Sequence, residues 1–205
     1  MVTPADEPTG PAPGTDRPIV VLIGPPGSGK SSTGRRVAAR LGATFLDTDE
    51  AVETSQGRSI SDIFVDEGEA AFRDLERRAV LSALTHERGV VSLGGGAPMT
   101  PAIAEALTGH TVVLLDVGIA DAARRIGFDT SRPLLSVNPR ASWIAMMNAR
   151  RPRYESLATH RVDTSGRRPA KVADDIVALL GLEVVPGFAE SADTEAADAE
   201  AGGES

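Results

Sequence analysis

The sequence predicts an α/β protein, a three-layer α/β/α sandwich around a five-stranded parallel sheet. Five short apolar segments, at 19–23, 44–46, 90–93, 111–115 and 161–163, alternate with stretches of helical periodicity. The first is a continuous run, Ile19-Val20-Val21-Leu22-Ile23, the pattern of a central parallel strand covered on both faces. It leads directly into Gly24-Pro25-Pro26-Gly27-Ser28-Gly29-Lys30-Ser31, which reads G-x-x-x-x-G-K-S at a strand-to-helix junction.

That loop is the strongest chemical signal in the chain. Glycines let backbone N–H groups turn inward around phosphate oxygens, and the following helix adds the positive end of its dipole. Lys30 is placed to reach the β- and γ-phosphates, and the Ser31 hydroxyl to bind Mg²⁺. An ordinary glycine-rich turn would not require a Lys-Ser pair after its last glycine.

The helix after the loop is expected over 32–41, with Val37, Ala38 and Leu41 inward, Arg35, Arg36 and Arg40 mostly facing water, and Gly42 as the stop. Thr44-Phe45-Leu46 is a short strand running into Asp47-Thr48-Asp49. Residues two apart on an extended segment share a side, so Asp47 and Asp49 project together at the end of a sheet where ligands bind. Thr48 or Asp49 also suits the N-cap of the next helix. Ser59 precedes an amphipathic turn with Ile60, Ile63 and Phe64, and a longer helix over 69–85 carries Phe72, Leu75, Ala79, Val80 and Leu84 beside Arg73, Arg77 and Arg78.

Val90-Val91-Ser92-Leu93 ends in Gly94-Gly95-Gly96, where something can approach the backbone closely. Thr100-Pro101 opens a helix in cap-then-proline order. The fourth strand ends at Asp116, which, like Asp47, has the position of a Mg²⁺-orienting acid; a solvated or capping role fits it equally. The irregular polar stretch 127–140 is a lid candidate containing Arg132. In the helix that follows, Trp143, Met146, Met147 and Arg150 fall on one face, so Arg150 should have an anionic partner, whereas Arg151 and Arg153 need none. A closing helix over 169–180 starts with Pro169 and stops at Gly181.

Composition sets the limits. The net charge of −8 is concentrated in the ends: 183–205 holds seven acids and no Lys or Arg, and 18–182 is left close to neutral. The ends 1–17 and 183–205 are expected to be disordered extensions flanking one domain at 18–182. No cysteine is present, which excludes disulfides and thiolate chemistry. No apolar run approaches the length of a membrane span, so the expectation is a cytoplasmic protein without membrane or nucleic-acid partners. No Asn-Lys-x-Asp base-reading motif of a GTPase switch occurs.

Taken in order, several motifs together resemble the shikimate kinase family over residues 18–180. They are the Gly-x-x-Gly-Ser-Gly-Lys-Ser loop, Leu46-Asp47-Thr48-Asp49, Gly57-Arg58-Ser59-Ile60 with Ile63-Phe64, Phe72-Arg73, Ser92-Leu93-Gly94-Gly95-Gly96, Arg132-Pro133-Leu134-Leu135, Arg150 with Tyr154, and Val162-Asp163-Thr164. The resemblance implies transfer of the γ-phosphate of ATP to the 3-hydroxyl of shikimate, with Mg²⁺, by a monomer. It implies that Lys30, Asp49 and Arg132 are catalytic, with Asp49 holding the acceptor hydroxyls and taking the transferred proton. Ser31 and Asp47 would organise the metal. Gly27, Ser28, Gly29, Lys30, Ser31 and Ser32 would cradle the phosphates, with Arg125, Arg132, Arg167 and Pro169 on the adenine and lid side. Phe64, Phe72, Arg73, Gly94, Gly95, Gly96 and Arg150 would form the acceptor site, the two arginines gripping its carboxylate. Ser32 stands where Thr is commoner, and Ser165-Gly166 with Arg168 depart from the family's usual adenine-side run. The acidic tail lies outside the family core. A gluconate-type sugar kinase on the same fold and a non-catalytic ATP-binding protein remain as alternatives.

Overall fold

The computed structural model describes residues 17–127 and 138–185. Its centre is a parallel sheet of five strands, β1 (Val20–Ile23), β2 (Phe45–Asp47), β3 (Val90–Ser92), β4 (Val112–Asp116) and β5 (His160–Asp163), in the order β2-β3-β1-β4-β5. β1 is central and fully buried because its side chains alternate between two cores. Val21 and Ile23 pack on one face with Val91, Leu93 and Leu114; Val20 and Leu22 pack on the other with Val90, Val113 and Leu115. Fully burying a side chain of this kind contributes about 1.5–3 kcal/mol, which is why both faces must be covered by helices.

On the second face lie α1 (Lys30–Arg40) and, from the end of the chain, α8 (Pro169–Leu179). Val37 and Ala38 meet Val172, Ile176 and Val177 there. Arg40 is a correction to the sequence reading: it is 8% exposed, not water-facing. Its Nε donates to Asp174 Oδ1 at 2.6 Å and its Nη2 to the Ala170 carbonyl at 3.2 Å, so a charge crosses the α1–α8 contact fully paired. Leu182 also packs on this core, and the Val185 amide donates to the Arg40 carbonyl at 2.9 Å. The chain therefore stays on the domain three residues past the expected boundary.

The first face is covered by α4 (Gly68–His86), α5 (Pro101–Ala106) and α7 (Pro139–Leu157), which supply Val80, Ala83, Ile103, Trp143, Met147 and Tyr154 to its core. α6 (Ile119–Ile126) follows β4, and Ala97–Met99 is a 3₁₀ turn after β3. α2 (Thr48–Gln56) and α3 (Ile60–Asp66) form a small subassembly with α4 around Val52, Ile63 and Phe72. The cap of α2 differs from expectation. Asp47, not Thr48 or Asp49, is the N-cap, its Oδ1 accepting from the Asp49 amide at 3.0 Å. Ser59 caps α3, its side chain accepting from the Asp62 amide.

Candidate active site

β1 ends and the backbone turns sharply at Gly24, whose φ of +148° suits only glycine and whose added Cβ would lie 2.4 Å from the Leu115 carbonyl oxygen. The loop then delivers Gly29 as the N-cap of α1 with no side-chain cap, so the first N–H groups of the helix are left to an anion. Lys30 folds back over the loop, its Nζ donating to the Gly24 and Pro25 carbonyls at 3.0 and 3.2 Å. Burial draws its pKa down, while Asp47 and Asp49 hold it up. The Ser31 hydroxyl donates to Asp47 Oδ2 at 2.7 Å, so the two expected metal-organising groups do meet.

This pair fits Mg²⁺ held mainly by nucleotide phosphates. Among the described residues there is no group of three or more His, Cys, Asp or Glu that would cage a metal by itself, and Mg²⁺ commonly takes one or two protein oxygens plus phosphates.

Beside the loop, a cleft of about 460 Å³ is lined by Gly27, Ser28, Gly29, Lys30, Ser31, Ser32, Arg125, Thr164, Arg167 and Pro169. The expected phosphate and adenine-side residues thus share one cavity, Arg132 excepted: it lies outside the described residues, with most of the lid stretch. Arg125 spans the cleft wall, donating to the Gly27 carbonyl at 3.1 Å and to Thr164 Oγ1 and O at 3.1 and 2.6 Å. Thr164, to which sequence reasoning assigned no role, is its anchor.

The side expected to take the acceptor is built on three successive glycines. A Cβ on Gly94 would lie 2.3 Å from Asp49 Oδ1, one on Gly95 3.2 Å from Pro26 Cδ, and one on Gly96 2.4 Å from Arg73 Nη1. The loop is thus a shelf against which the acid, the phosphate loop and an arginine all pack. Its first amide is held by Thr48 Oγ1 at 3.1 Å. Arg150 Nη1 and Tyr154 Oη both donate to the Gly95 carbonyl, at 3.2 and 2.5 Å. The expectation that Arg150 pairs with an anion is not met by a group of this chain: among the described residues it bonds that carbonyl and lies beside the Tyr154 hydroxyl. Phe64 and Phe72 stack at 4.8 Å between ring centroids, with the Arg73 guanidinium 5.3 Å from the Phe72 ring.

Asp49 is strongly perturbed by this setting. Its Oδ1 is buried without a hydrogen-bond partner. Burial pushes its carboxyl up to about 6, Asp47 and Glu76 add to the rise, and Lys30 opposes it. Such a carboxyl is poised to exchange a proton near neutral pH.

Two features escaped the sequence reading. Glu76, only 1% exposed, accepts from Arg73 Nη1 at 2.8 Å, while Glu69 Oε1 takes Arg73 Nε and Nη2 at 3.3 and 3.1 Å. The signal was available: Glu76 lies between Phe72 and Val80 on the buried stripe of α4, where an unpaired charge is expensive. The second correction concerns Arg151, which was expected to need no partner and instead grips Asp116. Asp116 is neither solvated nor free to orient a metal. Although burial alone would raise its pKa, the hydrogen bonds and charges of Arg151 and Arg161 hold it below the usual carboxylate range.

A phosphate loop at the mouth of a parallel sheet, facing a shelf of glycines, a perturbed acid and two arginines, defines a phosphate-loop kinase of small molecules. Comparison with known proteins gives the family. The family described as "Shikimate kinase" matches residues 26–181, and the chain belongs to it. The shikimate kinase of Salinispora arenicola is 51% identical over 163 residues, covering 80% of this chain and 98% of that one. That of Thermobifida fusca is 51% identical over 160 residues, covering 78% and 93%. Among solved structures, shikimate kinase from Acinetobacter baumannii in complex with shikimate has a TM-score of 0.74 at 31% identity, covering 80% of this chain and 92% of that one. The chain is therefore an ATP-dependent phosphotransferase with an alcohol acceptor, using ATP and Mg²⁺, and the sugar-kinase and non-catalytic alternatives are not favoured.

Proposed function

We propose that this chain phosphorylates the 3-hydroxyl of shikimate with the residue roles that follow. The observation that carries the reading is the shelf: Gly94 against Asp49, Gly95 against the phosphate loop and Arg150, and Gly96 against Arg73. A cyclic hydroxy acid laid along it would have its carboxylate between two guanidinium groups and its hydroxyls at Asp49. Planar guanidinium groups grip a carboxylate through paired N–H donors, which also fixes which hydroxyl faces the phosphate loop.

In the reaction, the acceptor oxygen forms a bond to the γ-phosphorus as the bond to the ADP β-phosphate oxygen breaks, and the hydroxyl proton passes to Asp49. Phosphoryl transfer asks mainly for alignment and for neutralisation of spreading charge. Lys30 moves from the Gly24 and Pro25 carbonyls to phosphate oxygens, and Arg132 adds a second positive charge. Ser31 and Asp47 would hold Mg²⁺, which would supply further charge neutralisation.

A coupled ADP-release assay tests the reading. Shikimate supports turnover and gluconate does not; ATP binding without phosphorylation of either acceptor would favour a regulatory role. We further read the chain as a cytoplasmic monomer whose catalytic domain spans 18–182, with the chain to Val185 still held on it. Supporting this, no helix among the described residues is long and apolar enough to cross a membrane, and the sequence has no cysteine. Light scattering behind a sizing column gives one chain per particle.

A further inference from the structure

Helix α7 carries two neighbouring arginines with different partners. Successive residues on a helix stand about 100° apart, so when Arg150 faces Gly95, Arg151 faces elsewhere. It faces Asp116 at the end of β4, donating through Nη1 to Oδ2 at 2.9 Å and through Nη2 to Oδ1 at 3.2 Å. The Asp116 side chain is 8% exposed, and Oδ1 also accepts from the Val117 amide at 3.0 Å. Arg161 on β5 donates to the same Oδ2, and Glu155 lies 3.5 and 3.7 Å from the guanidinium groups of Arg151 and Arg161. Two acids and two bases thus close a neutral network across β4, α7 and β5. The backbone carbonyl of Asp116 meanwhile accepts from Thr164 N and Oγ1 at 2.9 and 3.1 Å. Thr164 is the residue that anchors Arg125 in the nucleotide cleft.

We propose that Asp116 and Arg151 are a positioning pair for phosphoryl transfer, fixing the rotation of α7 about its axis so that Arg150 presents its guanidinium to the acceptor's carboxylate. The proposal rests on the reading of Arg150 as a carboxylate grip. Along one face α7 is attached by single hydrogen bonds, Trp143 Nε1 to the Pro26 carbonyl at 3.2 Å and Arg150 and Tyr154 to Gly95. Trp143, Met147 and Tyr154, packed in the core, set which face of α7 turns inward, and the Asp116 contact trims its rotation from the other side. A bidentate guanidinium–carboxylate contact fixes orientation as well as distance. Roll matters because a misplacement of about 1 Å in a positioning group costs about 10²-fold in rate. The acid at the end of β4 therefore serves the acceptor grip instead of the metal.

Steady-state kinetics and melting of the full chain test this. Arg151→Met and Asp116→Asn each raise the shikimate KM about tenfold and leave the ATP KM within about twofold, a split that lost stability alone would not produce. The double variant is no worse than the worse single, since the two act as a unit, and Arg151→Lys recovers part of the loss. Arg161→Met changes either KM by less than about twofold, because Arg151 still holds both Asp116 oxygens. Should a single variant fail to fold, the double variant, which removes both charges together, is read in its place. A lowered melting temperature with an unchanged shikimate KM, or a parallel rise in both KM values, overturns the proposal. Arg150→Ala separates the two layers of argument. If it leaves the shikimate KM unchanged, the acceptor-site reading falls and the pair's role with it. If it raises that KM while Arg151→Met does not, the positioning role alone falls.

Discussion

Asp49 shows how one residue carries both the chemistry and its cost. Its carboxyl, raised to about 6, is protonated below that pH and cannot then take the acceptor's proton. kcat/KM for shikimate is accordingly expected to fall about tenfold per unit below pH 6 and to level off above it, as a pH–rate profile will show. Asp49→Asn should lower kcat by about 10²–10⁴-fold. It should also stabilise the fold. A carboxyl raised above its unfolded value lets the native state bind the extra proton, so stability is lost as pH rises from about 4 through about 6. At pH 7.5 the wild type holds this ionised, under-paired group, and the asparagine variant should melt higher, by about 2–4 °C per kcal/mol relieved. Below pH 4 the difference should vanish. An equal melting temperature at pH 7.5 would mean that the raised pKa is not present in solution.

At the level of elements, the phosphate loop, the succession of strands and helices along the chain and the glycine triplet after β3 were legible because they are local, whereas the order of strands in the sheet was not predicted. A G-x-x-x-x-G-K-S run after an apolar strand needs no distant partner to be read. The two acids after β2 were equally visible, though not that Asp47 would cap α2 and bind Ser31 at once. Charge pairs between elements were not legible: Arg40 and Asp174 are 134 positions apart, and Arg151 and Asp116 are 35 apart. Periodicity says that a position is buried, and only the folded chain says what neutralises it. Glu76, paired within α4, was missed although its place on the buried stripe of that helix was a usable signal. The shelf itself makes a prediction. Gly94→Ala forces Asp49 aside, and the shikimate kcat/KM should drop about 10²-fold with the ATP KM nearly unchanged, whereas the same change at Gly57, where a Cβ meets nothing, lowers stability through its φ of +65° but alters kinetics little.

For the whole molecule, the net negative charge sits outside a nearly neutral domain, and the family match at 26–181 falls within that domain. The domain does not end at its last helix, because Leu182 packs on the core and Val185 is bonded to Arg40. Deletion of 186–205 should therefore leave kcat and both KM values within about twofold and the melting temperature unchanged, whereas deletion from 182 onward should lower the melting temperature through lost apolar burial. The central claim is that the nucleotide and acceptor halves are distinct sites meeting at Asp49, with Arg150 serving the acceptor alone. Its most direct measurement is the pair of KM values for Arg150→Lys. A lysine keeps the charge but loses the fork, so the account predicts a shikimate KM at least about tenfold higher with the ATP KM within about twofold. An equal rise in both, or an unchanged shikimate KM, would contradict it.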